Sequence, residues 1–265
     1  MDEEKVLKNI EMNPLSIKMI PSPTEAMKKV AVRKNGLVLE YIKEPTKEME
    51  ELAVAQNPRA IKFVAEPTEE MMLQAVENAW SDLQYIKHPT PNVVTKAVEK
   101  SAWAIQYIAD PSEALQLFAI KKDYTSIKYI KMPSERAKKE AVTISYDALK
   151  YIQEPSIELE LLAIEQNERA MTYIRELSQE KMRAFVKANV LAIKYIINKI
   201  EIPILVDVLK EVLSREDVEE HYVREFIRCQ SITREHLSMD KVAFIYEYGS
   251  KKAKIITVDE KLKML

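Results

Sequence analysis

Proline recurs at Pro23, Pro45, Pro67, Pro89, Pro111, Pro133 and Pro155, each 22 residues after the one before. An aromatic-aliphatic pair stands just ahead of each: Met19-Ile20 opens the series, which continues as Tyr41-Ile42, Phe63-Val64, Tyr85-Ile86, Tyr107-Ile108, Tyr129-Ile130 and Tyr151-Ile152. The pair persists at Tyr173-Ile174, where Leu177 takes the proline position, and at Tyr195-Ile196. Nine units of 22 residues therefore account for residues 1–198. A period of this length means one small supersecondary unit, stacked, because a unit so short cannot bury its apolar face alone.

Each unit carries the signals of two short helices. Thr24, Thr46, Thr68, Thr90, Ser112, Ser134, Ser156 and Ser178 follow the proline position. A side-chain oxygen there can accept from the free N–H groups of a first helical turn. Glu25, Glu48, Glu70, Glu113, Glu135 and Glu158 come next, where the helix dipole favours negative charge. The first helix then carries a small-large pair, Ala31-Val32 through Ala163-Ile164, and a fixed alanine lets neighbouring helices approach closely. A second polar position, Asn35, Asn57, Ser101, Asp123, Ser145, Asn167 and Asn189, reads as the cap of the second helix, with Ala79 the exception. Leu39, Ile61, Leu83, Ile105, Ile127, Leu149, Met171 and Ile193 then share a face with the tyrosine-isoleucine pair. The proline is expected to end that helix. The fold expected is all-α: an α-solenoid (superhelix) of nine two-helix repeats with a helical C-terminal cap.

The run Tyr-Ile-x-x-Pro-Thr/Ser-x-Glu, then Ala-Val-x-x-Asn-x-x-Ala-Leu, resembles a family of short tandem α-helical repeats of unknown function, found in bacterial, phage and protist proteins. The resemblance covers residues 1–198 and implies architecture, not activity. Ala79, Leu177 and Phe185, which replaces the alanine of the last unit, depart from the pattern and predict less regular geometry there.

Residues 199–265 break the period. Pro203 suits the first turn of a helix bearing Ile204, Leu205, Val208, Leu209, Val212 and Leu213. Val218, Tyr222, Val223, Phe226 and Ile227 mark a second helix. Ser238 is expected to cap a third that stops at Gly249, and Thr257 with Glu260 reads as the capping box of a short last turn. The chain thus divides into a repeat solenoid, 1–198, and a cap, 199–265, that shields its last apolar face.

Composition narrows the function classes. Two glycines, Gly36 and Gly249, leave no Gly-rich phosphate loop. His88, His221 and His236 show no metal-ligand spacing, and Cys229 has no sequence-adjacent base, so neither a metal site, a cofactor nor catalysis is expected. One cysteine permits no internal disulfide, no apolar run approaches a membrane span, and the start Met1-Asp2-Glu3-Glu4 is unlike a signal peptide; a cytoplasmic protein is expected. A formal net charge of −2 speaks against a general binder of nucleic acid or anionic membranes.

The opening positions of the second helix vary between units, and in four central units they hold Trp80, Trp103, Tyr124 and Tyr146. The repeat does not itself require aromatics there, and such residues dominate interface hot spots. One turn on runs a polar row that includes Gln84, Gln106, Lys128 and Lys150. Together they predict a partner-binding face, with a protein as partner and a non-enzymatic scaffold or regulator, in a phage or bacterial setting an inhibitor of a host protein, as the function. The alternative is a helical-repeat binder of nucleic acid, in which stacking aromatics interleave with lysines.

Overall fold

The computed structural model describes residues 3–232 and 239–263, and these are all-helical, with no strand among them. Every repeat opens with a ten-residue α-helix: Glu3–Met12, Glu25–Lys34, Lys47–Gln56, Glu69–Asn78, Pro91–Lys100, Glu113–Lys122, Glu135–Ile144, Ile157–Gln166 and Gln179–Ala188. The second helix is not α. In eight repeats it is a six-residue 3₁₀ helix: Pro14–Met19, Gly36–Tyr41, Pro58–Phe63, Trp80–Tyr85, Ala102–Tyr107, Tyr124–Tyr129, Tyr146–Tyr151 and Glu168–Tyr173.

The caps follow the alternation in most repeats. Thr24 accepts from the Met27 N–H, three residues on, and the same bond recurs at Thr46, Thr68, Thr90, Ser112, Ser134 and Ser178. Ser156 lacks it, and its hydroxyl engages Glu158 instead, which helps hold that carboxyl below its ordinary range. At the second polar position the reach is two residues: Asn35 accepts from Leu37, Asn57 from Arg59, Asp123 from Thr125. The tighter cap leads into a tighter helix, and 3₁₀ geometry, with its poorer hydrogen bonds, runs only for short stretches. From Gly36–Tyr41 to Glu168–Tyr173 each 3₁₀ helix accordingly ends at its aromatic residue, the first ending at Met19, and Ile42, Ile86 or Ile130 follows in extended conformation. The proline therefore does not end the second helix. It lies three residues beyond that extended residue and directly ahead of the next Thr or Ser cap, restricting the chain as it enters the α-helix.

The chain divides into two compact units, Met1–Pro133 and Ser134–Leu265. In the first, six α-helices pack each against the next, and six 3₁₀ helices do likewise. The core lies between these two layers. Ala31, Ala53, Ala75, Ala97 and Ala119 are 0% exposed, as are Val32, Val54, Val76, Val98 and Ile120 beside them. From the other layer come Leu39, Ile61, Leu83, Ile105 and Ile127, all buried. This is an all-α repeat solenoid.

In the second unit, three repeats stack the same way and Ile202–Leu213 packs on Gln179–Ala188. The ninth repeat is irregular, as Phe185 predicts: its 3₁₀ segment shrinks to Val190–Ala192 and runs on as α-helix through Ile193–Ile196. Ala79 causes no such disturbance, since Trp80–Tyr85 forms without a side-chain cap. Glu220–Arg228 packs against Lys251–Leu262, and Lys241–Tyr248 touches both of them and Ile202–Leu213. Asp240, not Ser238, caps Lys241–Tyr248, accepting from the Val242 and Ala243 N–H groups; Ser238 itself lies outside the described residues. The helix does stop at Gly249, where a Cβ would stand 2.6 Å from the Ile245 carbonyl oxygen. Thr257 and Glu260 are no capping box. Ser250 caps a continuous Lys251–Leu262, Thr257 donates back to the Ala253 carbonyl, and Glu260 takes Arg224 and Arg228. A hydroxyl bonded four residues back along its own helix satisfies itself without starting a new one.

Candidate interaction surface

Because a 3₁₀ helix turns every three residues, its second and fifth positions share one face and its first and fourth another. The fourth positions, Leu83, Ile105, Ile127 and Leu149, are the core residues. Trp80 and Tyr124, at first positions, are on the same side and half-buried, and so is Tyr146 in the second unit. The second and fifth positions face outward. Gln84, Gln106 and Lys128 are exposed in the first unit and Lys150 in the second.

Trp103 is the expected anchor that occupies a second position, and it is 40% exposed. Its indole Nε1 donates to Asp123 Oδ2 at 2.9 Å and to Thr125 Oγ1 at 3.2 Å, both in the following repeat. Lys128 Nζ lies 4.7 Å from the centre of the Trp103 ring and equally 4.7 Å from that of Tyr129. The two rings stand 5.9 Å apart at 60°. Burial pushes the Asp123 carboxyl up, but the Thr125 hydroxyl and N–H, the Trp103 indole and the Lys128 charge outweigh it and hold the group below its ordinary range. Asp123 therefore stays ionised and keeps the indole fixed. Gln84 and Gln106 each donate their amide to a backbone carbonyl of their own helix, at Ser81 and Trp103.

The structure thus gathers Trp103, Gln106 and Lys128 and adds Asp123, Thr125 and Tyr129. Trp80 is turned toward Tyr107, ring centres 6.2 Å apart, on the half-buried side. Asp123 read in sequence only as a helix cap. The signal that finds it is its offset from Trp103, close to one repeat length. In the second unit Lys150 lies over the Tyr151 ring at 4.8 Å, and Asp147 accepts from Tyr173 Oη at 2.6 Å.

Comparison with family models, with curated proteins and with solved structures returns no match. The geometry stands alone.

Other concave features are grooves beside the turns. One of about 380 Å³ in the first unit is lined by Lys62, Val64, Glu66, Tyr85 and His88; one of about 650 Å³ in the second is lined by Lys150, Ile152, Glu154, Tyr173 and Glu176, the same positions four repeats on. They are a property of the stacking. Among the described residues no group of three or more His, Cys, Asp or Glu could hold a metal ion, and no helix is long and apolar enough to cross a membrane. His88 and His221 belong to different units, and His236 lies outside the described residues.

Proposed function

We propose that this chain is a non-enzymatic, cytoplasmic scaffold that holds a partner protein on the outward face of its 3₁₀ helices, with Trp103 as the central anchor. One observation carries this reading. A large aromatic side chain, 40% exposed, occupies a position that its neighbours fill with Ser81 or Thr125, and hydrogen bonds fix its ring in place. Stacking does not require it there, and a fixed aromatic loses little freedom when a partner covers it. Gln106 and Lys128 supply a polar rim. A role as a phage or bacterial protein that captures a host protein belongs to the same proposal and rests on the repeat resemblance alone.

Nucleic acid ranks second. The fifth positions of the first unit read Lys18, Glu40, Lys62, Gln84, Gln106 and Lys128, so an acid and two neutral amides break the basic row such binding relies on.

The test is an affinity pull-down with the wild-type chain and Trp103→Ala side by side, with and without nuclease and at two salt concentrations. A protein retained by the wild type under nuclease and lost by the variant supports the proposal. Identical recoveries from a folded variant overturn it, and nucleic acid that elutes as salt rises replaces it with the second reading.

A further inference from the structure

The last helix, Lys251–Leu262, has two chemically different sides. Inward it buries Ala253, Ile256, Thr257 and Glu260, the last held by Arg224 and Arg228, while Asp259, half-exposed at the edge, is held by Arg224 and Lys263. Outward it leaves Ile255 at 61%, Val258 at 46% and Leu262 at 65% exposed. These three, with Lys251 ahead of them, are spaced by four, three and four residues. At 100° per residue they form a stripe roughly 60° wide along the helix. Lys254 and Lys261 border it on one side and Lys252 with Asp259 on the other. Among the described residues no ion pair reaches Lys251, Lys252, Lys254 or Lys261.

We infer that this face docks an amphipathic α-helix of a partner protein, one with its own narrow apolar seam and glutamates along the rim. The spacing is that of a two-helix seam, in which apolar residues recur every three and four positions and rim charges select the partner. The stripe is narrower than the face of about 100° or more by which a helix covers a broad surface. It carries no Trp or Phe of the kind that anchors helices in a lipid interface. Rim charge decides between the remaining occupants. Two copies of this face would bring together two rims that are each net positive, Lys252, Lys254 and Lys261 against Asp259, whereas an acidic helix meets Lys254 and Lys261 with complementary charge.

The test uses the full chain and two labelled helical peptides that share a leucine-isoleucine seam, one flanked by glutamate and one by lysine, read by fluorescence anisotropy. The acidic peptide is expected to bind about tenfold tighter or better at low salt, with the gap narrowing as salt rises. Ile255→Asp with Leu262→Asp should abolish binding while the melting temperature holds, both side chains being exposed. Lys254→Glu with Lys261→Glu should reverse the peptide preference, and Trp103→Ala should leave it unchanged, so that this face and the tryptophan surface are judged apart. Equal affinity for both peptides, or none for either, overturns the inference. So does co-sedimentation with phosphatidylserine vesicles without peptide binding, or self-association that Ile255→Asp with Leu262→Asp removes.

Discussion

Arg59 approaches Asp82 at only 3.7 Å, through Nε, and the carboxylate it approaches is 1% exposed with no hydrogen bond to either oxygen. Ala60, Ala104, Ala148 and Ala170 fill the same third position of the 3₁₀ helix in other repeats, all 0% exposed. Burial pushes the Asp82 carboxyl up, against the opposing charges of Arg59 and Lys62. The folded chain therefore holds this proton more tightly than the unfolded chain does. Its favourable contribution is complete below the ordinary aspartate range and is lost as pH climbs through the raised value. Asp82→Ala should stabilise the protein by about 1–3 kcal/mol near neutral pH, the cost of an unsatisfied buried group. The gain over wild type should shrink as pH falls toward 4, roughly the unperturbed aspartate value. Urea titrations at several pH values check this, and a destabilised variant would mean that Arg59 satisfies the carboxylate.

Gly36 opens its 3₁₀ helix where an added Cβ would stand 2.2 Å from the Ala53 carbonyl oxygen, and its N–H donates to Gln56 Oε1 at 2.6 Å. Gly36→Ala must push two repeats apart. It should cost about 1–3 kcal/mol, as overpacking does, and lower the chemical-denaturation midpoint.

Ala79 takes nearly the backbone conformation of Asn57, φ −149° and ψ 112° against −146° and 104°, but has no side chain with which to cap Trp80–Tyr85. Ala79→Asn should gain about 1 kcal/mol and Asn57→Ala should lose as much. Both are read as opposite shifts in thermal midpoint.

At the C-terminal end, Arg228 and Arg224 hold the Glu260 carboxyl below its ordinary range. The stability this confers is present above the unfolded glutamate value and is lost as pH falls through the lower folded one. Glu260→Gln should therefore lower the melting temperature at neutral pH, and the difference should close only as pH falls below the ordinary glutamate range, roughly pH 4, and through the lower folded value. Calorimetry across that range is the check.

For the tryptophan surface, Trp103→Ala should weaken partner binding by about 2 kcal/mol or more. Trp103→Phe, which keeps a ring but no donor to Asp123 and Thr125, should fall between. Titration calorimetry with the recovered partner separates the three proteins.

Much of this architecture is legible in sequence because each repeat restates the same instructions: Thr46 starts a helix, Ala53 permits close packing, Asn57 starts another. What the pattern hides is the kind of second helix. Six residues are too few for a period of 3.0 to be told from 3.6, and only the reach of the Asn57 cap, two residues and not three, distinguishes them. That distinction assigns the aromatics. It puts Trp103 on the outer face beside Gln106 and turns Trp80 and Tyr124 sideways. Beyond the repeats, Ser238 and Thr257 offered equally good caps on paper. Ser250 outcompetes Thr257 because it sits where the chain enters a packed helix, and Asp240 is the cap of Lys241–Tyr248.

Most repeats of this chain also carry their own start signals, since Thr46 and Asn57 hydrogen-bond only to residues of the repeat they begin. The start signals of a repeat are therefore portable, but its faces are not. Excising residues 47–68 would join the Thr46 cap to Glu69 and keep each local start, yet it would take Gln56 from Gly36 and Arg59 from Asp82, so a change in repeat number must rematch the two faces it brings together.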